Sequence, residues 1–361
     1  MDLDDLTPKK CTCIKVPKIH GEEVIRLANK LKIVNKKLKI NKDKSFIYVP
    51  LLRQPSEDEL NTIKKKAPDS ELTEHIFAEK KRTVTLLEAL EKNLPPELLT
   101  SLPRAIDFVG DIAVIEIPRE LQTYKNVLGE AILDAHKNVQ TVLLKESAVR
   151  GTYRLREFSV IAGEARTETI HKEYGCRYRV DLAKAYFSPR LSYEHKRVSS
   201  LVKEGETVVD LFAGVGPFAI LIAKTHANVK VHAIDLNPHA FELLKENIRL
   251  NRVASRVYPL LGDAKQVVQQ GLTKVADRVI MNLPERAIEF VDAACEALKS
   301  TGGIMHFYSF AEASESVKNL KRRFIAAVEE SGRKVKKIPV SRRVRATAPY
   351  MWQFVLDVEI R

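Results

Sequence analysis

A strand that runs into a glycine-containing turn and then into a helix is the feature that most constrains the fold of this chain. It occupies residues 205–218, Gly-Glu-Thr-Val-Val-Asp-Leu-Phe-Ala-Gly-Val-Gly-Pro-Phe, and the apolar run at 207–211 predicts a buried strand. Gly214 and Gly216 remove side chains where a ligand must approach the backbone. Because the following helix offers free N–H groups and the positive end of its dipole, the turn predicts a site for a nucleotide-like cofactor.

The same alternation of strand and helix continues to the end of the sequence. Strands are predicted at 207–211, 230–234, 256–260, 277–281, 303–308 and 335–340, with a last one near 352–360. Helical patterns lie between them, and such alternation predicts an α/β fold with a parallel sheet covered by helices on both faces. The last strand directly follows another strand, which predicts an antiparallel hairpin at the sheet edge.

Composition and pattern divide the chain into three parts. Residues 1–66 predict a small basic α+β module, residues 71–172 a middle α+β domain, and residues 173–361 the α/β domain that contains the glycine turn. Between the first two parts, Lys64-Lys-Lys-Ala-Pro-Asp-Ser is typical of a linker.

The charge of the chain indicates a polyanionic partner. The 361 residues carry a formal net charge of +13, and the isoelectric point is about 9.4. The simplest partner for such a chain is nucleic acid. A solvated, lysine-rich surface of the kind found in thermophilic proteins explains the same charge, so composition leaves both interpretations open.

Cysteine usage and hydropathy predict a cytoplasmic protein that binds no membrane. The four cysteines are typical of a reducing compartment. The sequence contains no run of eighteen apolar residues, and its acidic start lacks the apolar segment of a signal peptide. Cys11 and Cys13 form a C-x-C without a second pair at zinc-finger spacing, so we interpret them as strand residues and expect no metal site. Nothing in the sequence calls for a dimer, and we expect a monomer.

The glycines alone do not identify the cofactor. Gly214-Val-Gly-Pro-Phe-Ala also satisfies the loose dinucleotide pattern G-x-G-x-x-G/A, which leaves NAD open. Asp235 ends the next strand, where a carboxylate can accept hydrogen bonds from ribose hydroxyls, and both NAD and S-adenosylmethionine carry that ribose. Asp263 follows the third strand, where it can either accept from an adenine amino group or cap a helix.

An Asn-Leu-Pro motif after the fourth strand favours S-adenosylmethionine. Asn282 lies where open α/β sheets place their substrates, and Pro284 restrains the preceding residue toward extended geometry. The amide can then donate and accept hydrogen bonds inside the site. An Asn-Pro-type loop at this place is a hallmark of methyltransferases that modify amino groups or ring nitrogens, and a capping Asn is the alternative.

A polar segment just before the glycine turn supplies another candidate, in Tyr186-Phe-Ser-Pro-Arg-Leu-Ser-Tyr-Glu-His-Lys-Arg. A capping box begun by Ser192 needs Glu or Gln three residues later, and His195 occupies that position. Glu194 is therefore not explained as the reciprocal partner of that serine, which makes it a candidate for chemistry. The alternative is an ordinary first-turn glutamate favoured by the helix dipole.

Together these motifs resemble the archaeal and eukaryotic-type tRNA (guanine-N1)-methyltransferases, which modify the purine at position 37 beside the anticodon. The resemblance covers essentially the whole chain. It implies a class I (Rossmann-like) methyltransferase domain, a small N-terminal α+β RNA-binding module and a middle α+β domain. The motifs that carry it are Arg154, Ala162-Gly-Glu, Tyr186-Phe-x-Pro-Arg-Leu, the turn at 210–218, Ile234-Asp-Leu-Asn-Pro and Met281-Asn-Leu-Pro.

The resemblance also implies roles for individual residues. Glu194 would be the general base, Arg154 would face guanine O6, and Asn282 would contact the target base. Tyr186, Arg190 and Pro284 would bind substrate. The residues that would hold S-adenosylmethionine are Asp210, Phe212, Ala213, Gly214, Gly216, Asp235, Leu236, Asp263, Ala264 and Asn282.

The chemistry of such a reaction agrees with those roles. Guanine N1 carries a proton at neutral pH, and this proton must leave as N1 attacks a sulfonium methyl group, for which a carboxylate is a suitable base. A fixed Arg stabilises the negative charge that builds on O6, and no metal is required. The target base lies in the anticodon loop of a tRNA, so it must be splayed out, while residues 1–66 would dock a distal part of the tRNA.

Three other functions stay open from the sequence. A wyosine-pathway relative would act on a tricyclic guanosine derivative at the same tRNA position. An NAD-dependent oxidoreductase would leave the Asn-Leu-Pro motif and the basic module without a role. A non-catalytic tRNA-binding protein would require a degenerate cofactor turn, and the turn is not visibly degenerate.

Overall fold

The computed structural model describes residues 8–79, 86–91, 93–103, 105–312, 317–348 and 350–361. Contacts within the chain divide it into two compact units, Met1–Val84 and Thr85–Arg361. The boundary predicted between residues 66 and 71 falls inside the first unit, because the strand that follows it pairs with the first strand of the chain. The division into three parts stays a prediction.

The first unit is a four-stranded antiparallel sheet with two helices. Its elements are β1 (Lys9–Pro17), α1 (Gly21–Lys30), β2 (Asn41–Lys42), β3 (Phe46–Pro50), α2 (Glu57–Lys64) and β4 (Glu71–Phe77). The strand order is β2-β3-β1-β4. Ile14 and Val16 of β1 pack with Val24 of α1 in a fully buried core, and Ser56 and Glu59 form a capping box that begins α2. These elements agree with the α+β character predicted for the N-terminal part.

The cysteines of the first unit are strand residues, as predicted. Cys11 and Cys13 both lie in β1, and burial raises the pKa of the Cys13 thiol to about 11, which makes this thiol a poor metal ligand or nucleophile. In the described ranges, no group of three or more His, Cys, Asp or Glu side chains could hold a metal ion.

The second unit begins with a four-stranded sheet and a hairpin. The elements are α3 (Leu86–Leu90), β5 (Asp107–Val109), β6 (Ile112–Ile115), α4 (Lys125–Ala135), β7 (Thr141–Lys145), β8 (Phe158–Gly163), β9 (Glu168–Glu173) and β10 (Cys176–Asp181). The sheet order is β5-β6-β7-β8. The parallel pair β6 and β7 is joined through α4, whereas β9 and β10 form a separate antiparallel pair. These segments lead into α5 (Ser192–Leu201).

A seven-stranded sheet forms the rest of the second unit. Its elements are β11 (Thr207–Asp210), α6 (Pro217–Thr225), β12 (Lys230–Asp235), α7 (Pro238–Leu250), β13 (Val257–Leu261), α8 (Ala264–Val267), β14 (Arg278–Met281), α9 (Val291–Ala297), β15 (Gly303–Glu312), α10 (Val317–Glu330), β16 (Val335–Ala348) and β17 (Met351–Ile360). The order is β13-β12-β11-β14-β15-β17-β16. The first five strands are parallel and the last two form an antiparallel hairpin at one edge, which confirms both predictions made for this region.

Helices cover both faces of the large sheet because its strands are apolar on both sides. Val208 packs with α5, α6 and α7 on one face, and Val209 packs with α8, α9 and α10 on the other, as the two-residue period of a strand requires. The chain leaves β11 toward β12 on one side and later returns to β14 on the other. This reversal creates a crevice at the carboxyl ends of the strands, where open α/β sheets bind ligands.

A chain of buried charges crosses the sheet beneath that crevice. Arg278 of β14 donates from Nε to Glu206 (2.8 Å), and its Nη1 lies 2.8 Å from His306 Nε2. His306 Nδ1 lies 2.6 Å from Oδ1 of Asp357, which also accepts two hydrogen bonds from Arg197 of α5. Burial opposes ionisation of Asp357, but the hydrogen bonds from His306 and Arg197 outweigh it and hold the pKa at about 2. The network therefore ties three central strands to α5.

No helix in the described part of the chain is both long enough and apolar enough to cross a membrane.

The central strand ends on a carboxyl group that is removed from water. Asp210 is fully buried; its Oδ1 accepts only a long hydrogen bond from the Phe212 N–H (3.4 Å), and Oδ2 has no partner among the described residues. Burial raises the pKa of Asp210 to about 7, and the nearby Asp235 carboxylate adds to the rise. The pKa of an unfolded Asp is about 3.9. Between about pH 4 and pH 7, Asp210 is therefore protonated in the folded protein and ionised in the unfolded chain.

We predict that Asp210→Asn becomes more stable relative to the wild type as pH rises from 5 to 8. Below about pH 4 the wild-type carboxyl is neutral in both states, and the stability that protonation contributes is lost as pH rises through 7. Because about two units of this pH range lie below the folded pKa, the difference in unfolding free energy should change by about 3 kcal/mol between pH 5 and pH 8. Melting temperatures across this range measure it, with the exposed Asp134→Asn on α4 as control. If the difference in unfolding free energy between Asp210→Asn and the wild type stays constant with pH, the raised pKa of Asp210 is wrong.

Candidate functional site

A cavity of about 210 Å³ opens at the carboxyl ends of the parallel strands. Four sheet-end segments contribute to it, namely the turn after β11, the end of β12, the loop after β13 and the loop after β14. The segments at 152–154 and 186–195 contribute the remaining walls. The residues predicted from the sequence that line this cavity are Arg154, Tyr186, Phe212, Ala213, Gly214, Asp235, Leu236, Asp263, Ala264 and Asn282.

The glycine turn has the open backbone that the sequence predicts. Gly214 has φ +55° and Gly216 has φ +91°, a conformation that disfavours side chains. A Cβ on Gly214 would lie no nearer to another residue than 3.7 Å, from the Tyr186 carbonyl oxygen, so it would project into open space at the cavity wall. A Cβ on Gly216 would lie 2.5 Å from Leu244 of α7. Gly214 therefore keeps the cavity clear, whereas Gly216 allows the turn to pack.

Two of the predicted carboxylates, Asp235 and Asp263, line the cavity. Asp235 accepts one hydrogen bond at each oxygen, from the Gly214 N–H (2.6 Å) and the Asn237 N–H (2.8 Å), and burial raises its pKa. Each oxygen retains a second lone pair that can accept from a ribose hydroxyl. Asp263 caps α8 through Oδ1, which accepts from Lys265 and Gln266 N–H groups. The capping role left open by the sequence is thus present, and Oδ2 takes no part in it.

These features fit an adenosine-type cofactor. Two carboxylates flank an open glycine turn, and the rings of Phe212 and Phe290 meet edge to face at 5.0 Å in the same wall. Paired acceptors suit ribose hydroxyls and an amino group, and aromatic rings suit a flat base. Asp235, Asp263 and the glycine turn would hold such a group.

Arg154 brings unused hydrogen-bond donors to the cavity. It lies in a turn with φ +57°, and its guanidinium lies 4.8 Å from the ring centroid of Tyr186. Nη2 lies 3.5 Å from Glu285. Nε and Nη1 are buried and have no hydrogen-bond partner within the described residues. Because unpaired buried donors are costly, this arrangement favours a ligand with an acceptor atom.

Glu194 is close to the site but does not line the cavity. Its side chain is 1% exposed. Oε2 accepts from Arg197 Nε (3.0 Å) and Tyr308 OH (2.8 Å), and Oε1 accepts from Arg342 of β16. The carboxylate thereby joins the buried charge network, and both oxygens are occupied by donors.

The other predicted residues outside the cavity lining have structural partners. Asp210 is buried beneath the turn, and Gly216 packs against α7. Arg190 donates from Nε to Asp107 (2.5 Å), and the Pro284 carbonyl accepts from the Phe310 N–H (3.0 Å). Their roles toward cofactor or substrate stay predictions, as do those of the residues that line the cavity.

His195 is a cavity residue that sequence reasoning missed. Its ring lines the cavity, its Nδ1 lies 2.7 Å from Glu173 Oε1, and it meets the Phe218 ring edge to face at 4.6 Å. Burial opposes ionisation of Glu173, yet hydrogen bonds from its histidine neighbours bring the pKa to about 2. The available signal was spacing, because Leu191 lies four residues before His195, at the start of the same helix, and also lines the cavity.

Gln353 and Arg345 were missed because they lie far from every motif. Gln353 of β17 donates from Nε2 to Asn282 Oδ1 (3.4 Å), and Arg345 of β16 donates to Gln353, Ser188 and Tyr186. No local signal in the sequence identifies either residue, because only the pairing of the final two strands brings them to the cavity.

Three family models match consecutive parts of the chain. The TRM5/TYW2 methyltransferase domain matches residues 169–336, the TYW2 N-terminal domain matches residues 86–167, and the tRNA methyltransferase 5 N-terminal domain matches residues 13–59.

Curated relatives match over nearly the whole length. The chain is 38% identical over 354 residues to the tRNA (guanine(37)-N(1))-methyltransferase Trm5b of Pyrococcus abyssi, covering 96% of this chain and 98% of the relative. It is 35% identical to the Trm5b of Methanocaldococcus jannaschii, with the same coverage. A tRNA(Phe) (4-demethylwyosine(37)-C(7)) aminocarboxypropyltransferase of Pyrococcus horikoshii is 32% identical and covers 76% of this chain and 95% of the relative.

Solved structures give the same result. The crystal structure of Trm5b from Pyrococcus abyssi has a TM-score of 0.68 at 37% identity, and the complex of aTrm5 with tRNALeu has a TM-score of 0.66 at 34% identity; each covers 97% of this chain and 99% of the other. TYW2 of M. jannaschii in complex with AdoMet has a TM-score of 0.56 at 30% identity, covering 71% of this chain and 99% of the other. The chain therefore belongs to the TRM5/TYW2 methyltransferase family and is a methyltransferase that uses S-adenosylmethionine.

Proposed function

We propose that this enzyme methylates N1 of guanosine 37 in tRNA. The observation that carries the proposal is Arg154, whose buried Nε and Nη1 lack partners within the described ranges while the side chain lines the cofactor cavity. Guanine O6 supplies an acceptor for these donors. The similarity to Trm5b enzymes over 96% of the chain supports the same substrate.

The residues divide the chemistry between two walls of the cavity. S-adenosylmethionine, when bound, supplies an electrophilic methyl group on a sulfonium sulfur. Asp235 and Asp263 would hold its adenosine part through the acceptor atoms described above. As the N1 proton of guanine leaves, negative charge builds on O6, and Arg154 would stabilise it, as fixed donors to an oxyanion do by about 3–4 kcal/mol.

Glu194 is the proposed acceptor of the N1 proton. To accept it, one carboxylate oxygen must offer a lone pair that the guanine N1–H can approach, and Oε2 already accepts from two donors. Oε1 is the available atom, because its donor Arg342 is 35% exposed, whereas Tyr308 is fully buried and Arg197 is tied to Asp357. RNA phosphates are competing partners for an exposed guanidinium, so we infer that tRNA binding draws Arg342 away from Glu194.

A tRNA substrate agrees with the basic composition of the chain. We propose that the N-terminal unit docks a distal part of the tRNA, while the second unit receives the anticodon loop. The match of residues 13–59 to the tRNA methyltransferase 5 N-terminal domain supports this division of labour. A cytoplasmic location and a monomeric state remain predictions.

The second candidate is a wyosine-pathway activity on a tricyclic guanosine derivative at the same tRNA position. It is favoured by the match of residues 86–167 to the TYW2 N-terminal domain and by the similarity to the aminocarboxypropyltransferase. Both candidates use the same cofactor, but the group transferred and the target base differ. Mass analysis of the modified nucleoside separates them.

We expect the purified enzyme and S-adenosylmethionine to convert guanosine 37 of unmodified tRNA to N1-methylguanosine. Arg154→Lys should slow the single-turnover rate by roughly 10²–10³-fold, because lysine cannot present both donors to O6, while cofactor affinity stays near normal. Arg150→Lys, at an exposed position of the same segment, is the control. Transfer of an aminocarboxypropyl group, or methylation of a base other than guanine, would refute the proposed function.

Glu194→Gln should lower the single-turnover rate by roughly 10²–10⁴-fold with little loss of cofactor affinity, since the amide keeps the size of the side chain but accepts no proton. Glu242→Gln, an exposed change on α7, should leave the rate unchanged. Melting curves of both variants report any loss of folding. A near-normal rate for a folded Glu194→Gln enzyme would remove Glu194 as the base.

Removal of the N-terminal unit should weaken tRNA binding more than it slows methylation at saturating tRNA. The deletion is best made to residue 84, because a cut at 66 would separate β4 from its partner β1. Filter binding and single-turnover assays give the two quantities. Equal activity of the full chain and the deletion at limiting tRNA would count against the docking role.

A further inference from the structure

A hydrogen-bonded relay connects the C-terminal hairpin to Asn282. Arg345 of β16 faces Gln353 of β17 in the strand register, and its Nε donates to Gln353 Oε1 at 2.8 Å. Gln353 Nε2 in turn donates to Asn282 Oδ1 at 3.4 Å. The remaining nitrogens of Arg345 donate to Ser188 Oγ (2.9 Å) and Tyr186 OH (3.2 Å). One guanidinium therefore contacts or orients three side chains that line the cavity, those of Tyr186, Ser188 and Asn282.

The donor-only chemistry of arginine sets the direction of the whole relay. A guanidinium has no acceptor atom, so the amide of Gln353 must turn its oxygen toward Arg345. Its nitrogen then faces Asn282, which must present its oxygen in return. Gln353 is fully buried, so water does not compete for these bonds. The two amide orientations thus follow from Arg345 alone.

We propose that Arg345 and Gln353 are positioning residues that fix the Asn282 amide with Nδ2 as its free donor toward the cavity. Together with Arg154, whose buried Nε and Nη1 are unpaired within the described residues, the site then presents hydrogen-bond donors to the bound base and selects an acceptor edge. Guanine offers two acceptors, O6 and N7, where adenine has an amino group in place of O6. The choice of guanine as the base rests on the proposed function, whereas the orientation of Asn282 does not.

The sharpest test compares two substitutions of Gln353. Gln353→Glu keeps the shape and the bond to Arg345 but offers Asn282 an acceptor, so Asn282 turns its nitrogen away from the cavity. Gln353→Met removes both bonds and leaves the Asn282 amide free to rotate. We expect Gln353→Glu to lower kcat/KM for tRNA roughly tenfold or more, and Gln353→Met to lower it less. A role in packing alone predicts the reverse order, because glutamate is the closer isostere.

A second measurement isolates the path through Asn282. In an Asn282→Ala background no amide remains to be turned, so Gln353→Glu and Gln353→Met should have equal kcat/KM. Arg345→Met should likewise lose activity in the wild-type background, and it should lose less in Asn282→Ala, where only its bonds to Ser188 and Tyr186 remain to be removed. Arg343→Gln, an exposed neighbour stacked on Trp352, is the control and should retain full activity.

Two results would overturn the proposal. One is a loss for Gln353→Met that equals or exceeds the loss for Gln353→Glu in folded enzymes. The other is a Gln353→Glu penalty that persists in the Asn282→Ala background. If Gln353→Glu fails to fold, the loss of kcat/KM caused by Arg345→Met is compared between the wild-type and Asn282→Ala backgrounds. Equal losses in the two backgrounds would then overturn the proposal. All rates are measured on whichever tRNA nucleoside the wild type modifies, so an error in the proposed base leaves this test intact.

Discussion

The carboxylate of Asp357 is the interaction on which the rest of the catalytic unit depends. It lies inside the sheet, accepts hydrogen bonds from Arg197 and faces His306, and through them it connects α5 to strands β14, β15 and β17. A buried ion pair contributes little net stability, but removal of one partner typically costs about 3–5 kcal/mol because a charge is left uncompensated. Arg197 also holds Glu194, so the same carboxylate fixes the candidate base.

The two sides of the cavity are built in different ways. The cofactor side consists of strand ends and the turn after β11, which backbone hydrogen bonds and the packing of α6 hold in place. The side proposed to receive the base consists of polar side chains: Gln353 holds Asn282, whereas Arg154 keeps two donors unpaired within the described residues. Backbone at the strand ends suits a cofactor that is the same in every reaction cycle, whereas polar side chains can distinguish one nucleobase from another.

The sequence predicted the parts of the molecule that depend on local signals. The strands and the hairpin follow from the alternation of strand and helix patterns. The glycine turn and Asp235 follow from short motifs on two strands that are consecutive in sequence and adjacent in the sheet. The surroundings of Glu194 could not be predicted, because its donors Tyr308 and Arg342 are more than one hundred residues away. No periodicity or motif encodes contacts of that separation, which only the pairing of the last strands brings together.

The antiparallel hairpin at the end of the sheet separates two tasks in this enzyme. Strands β11–β14 hold the cofactor side, while β16 and β17 supply the residues that orient the base side. Substitutions in the hairpin can therefore alter which nucleobase is received without disturbing the methyl donor. A changed base preference could thus be engineered within two neighbouring strands, with the strand ends around the glycine turn left as they are.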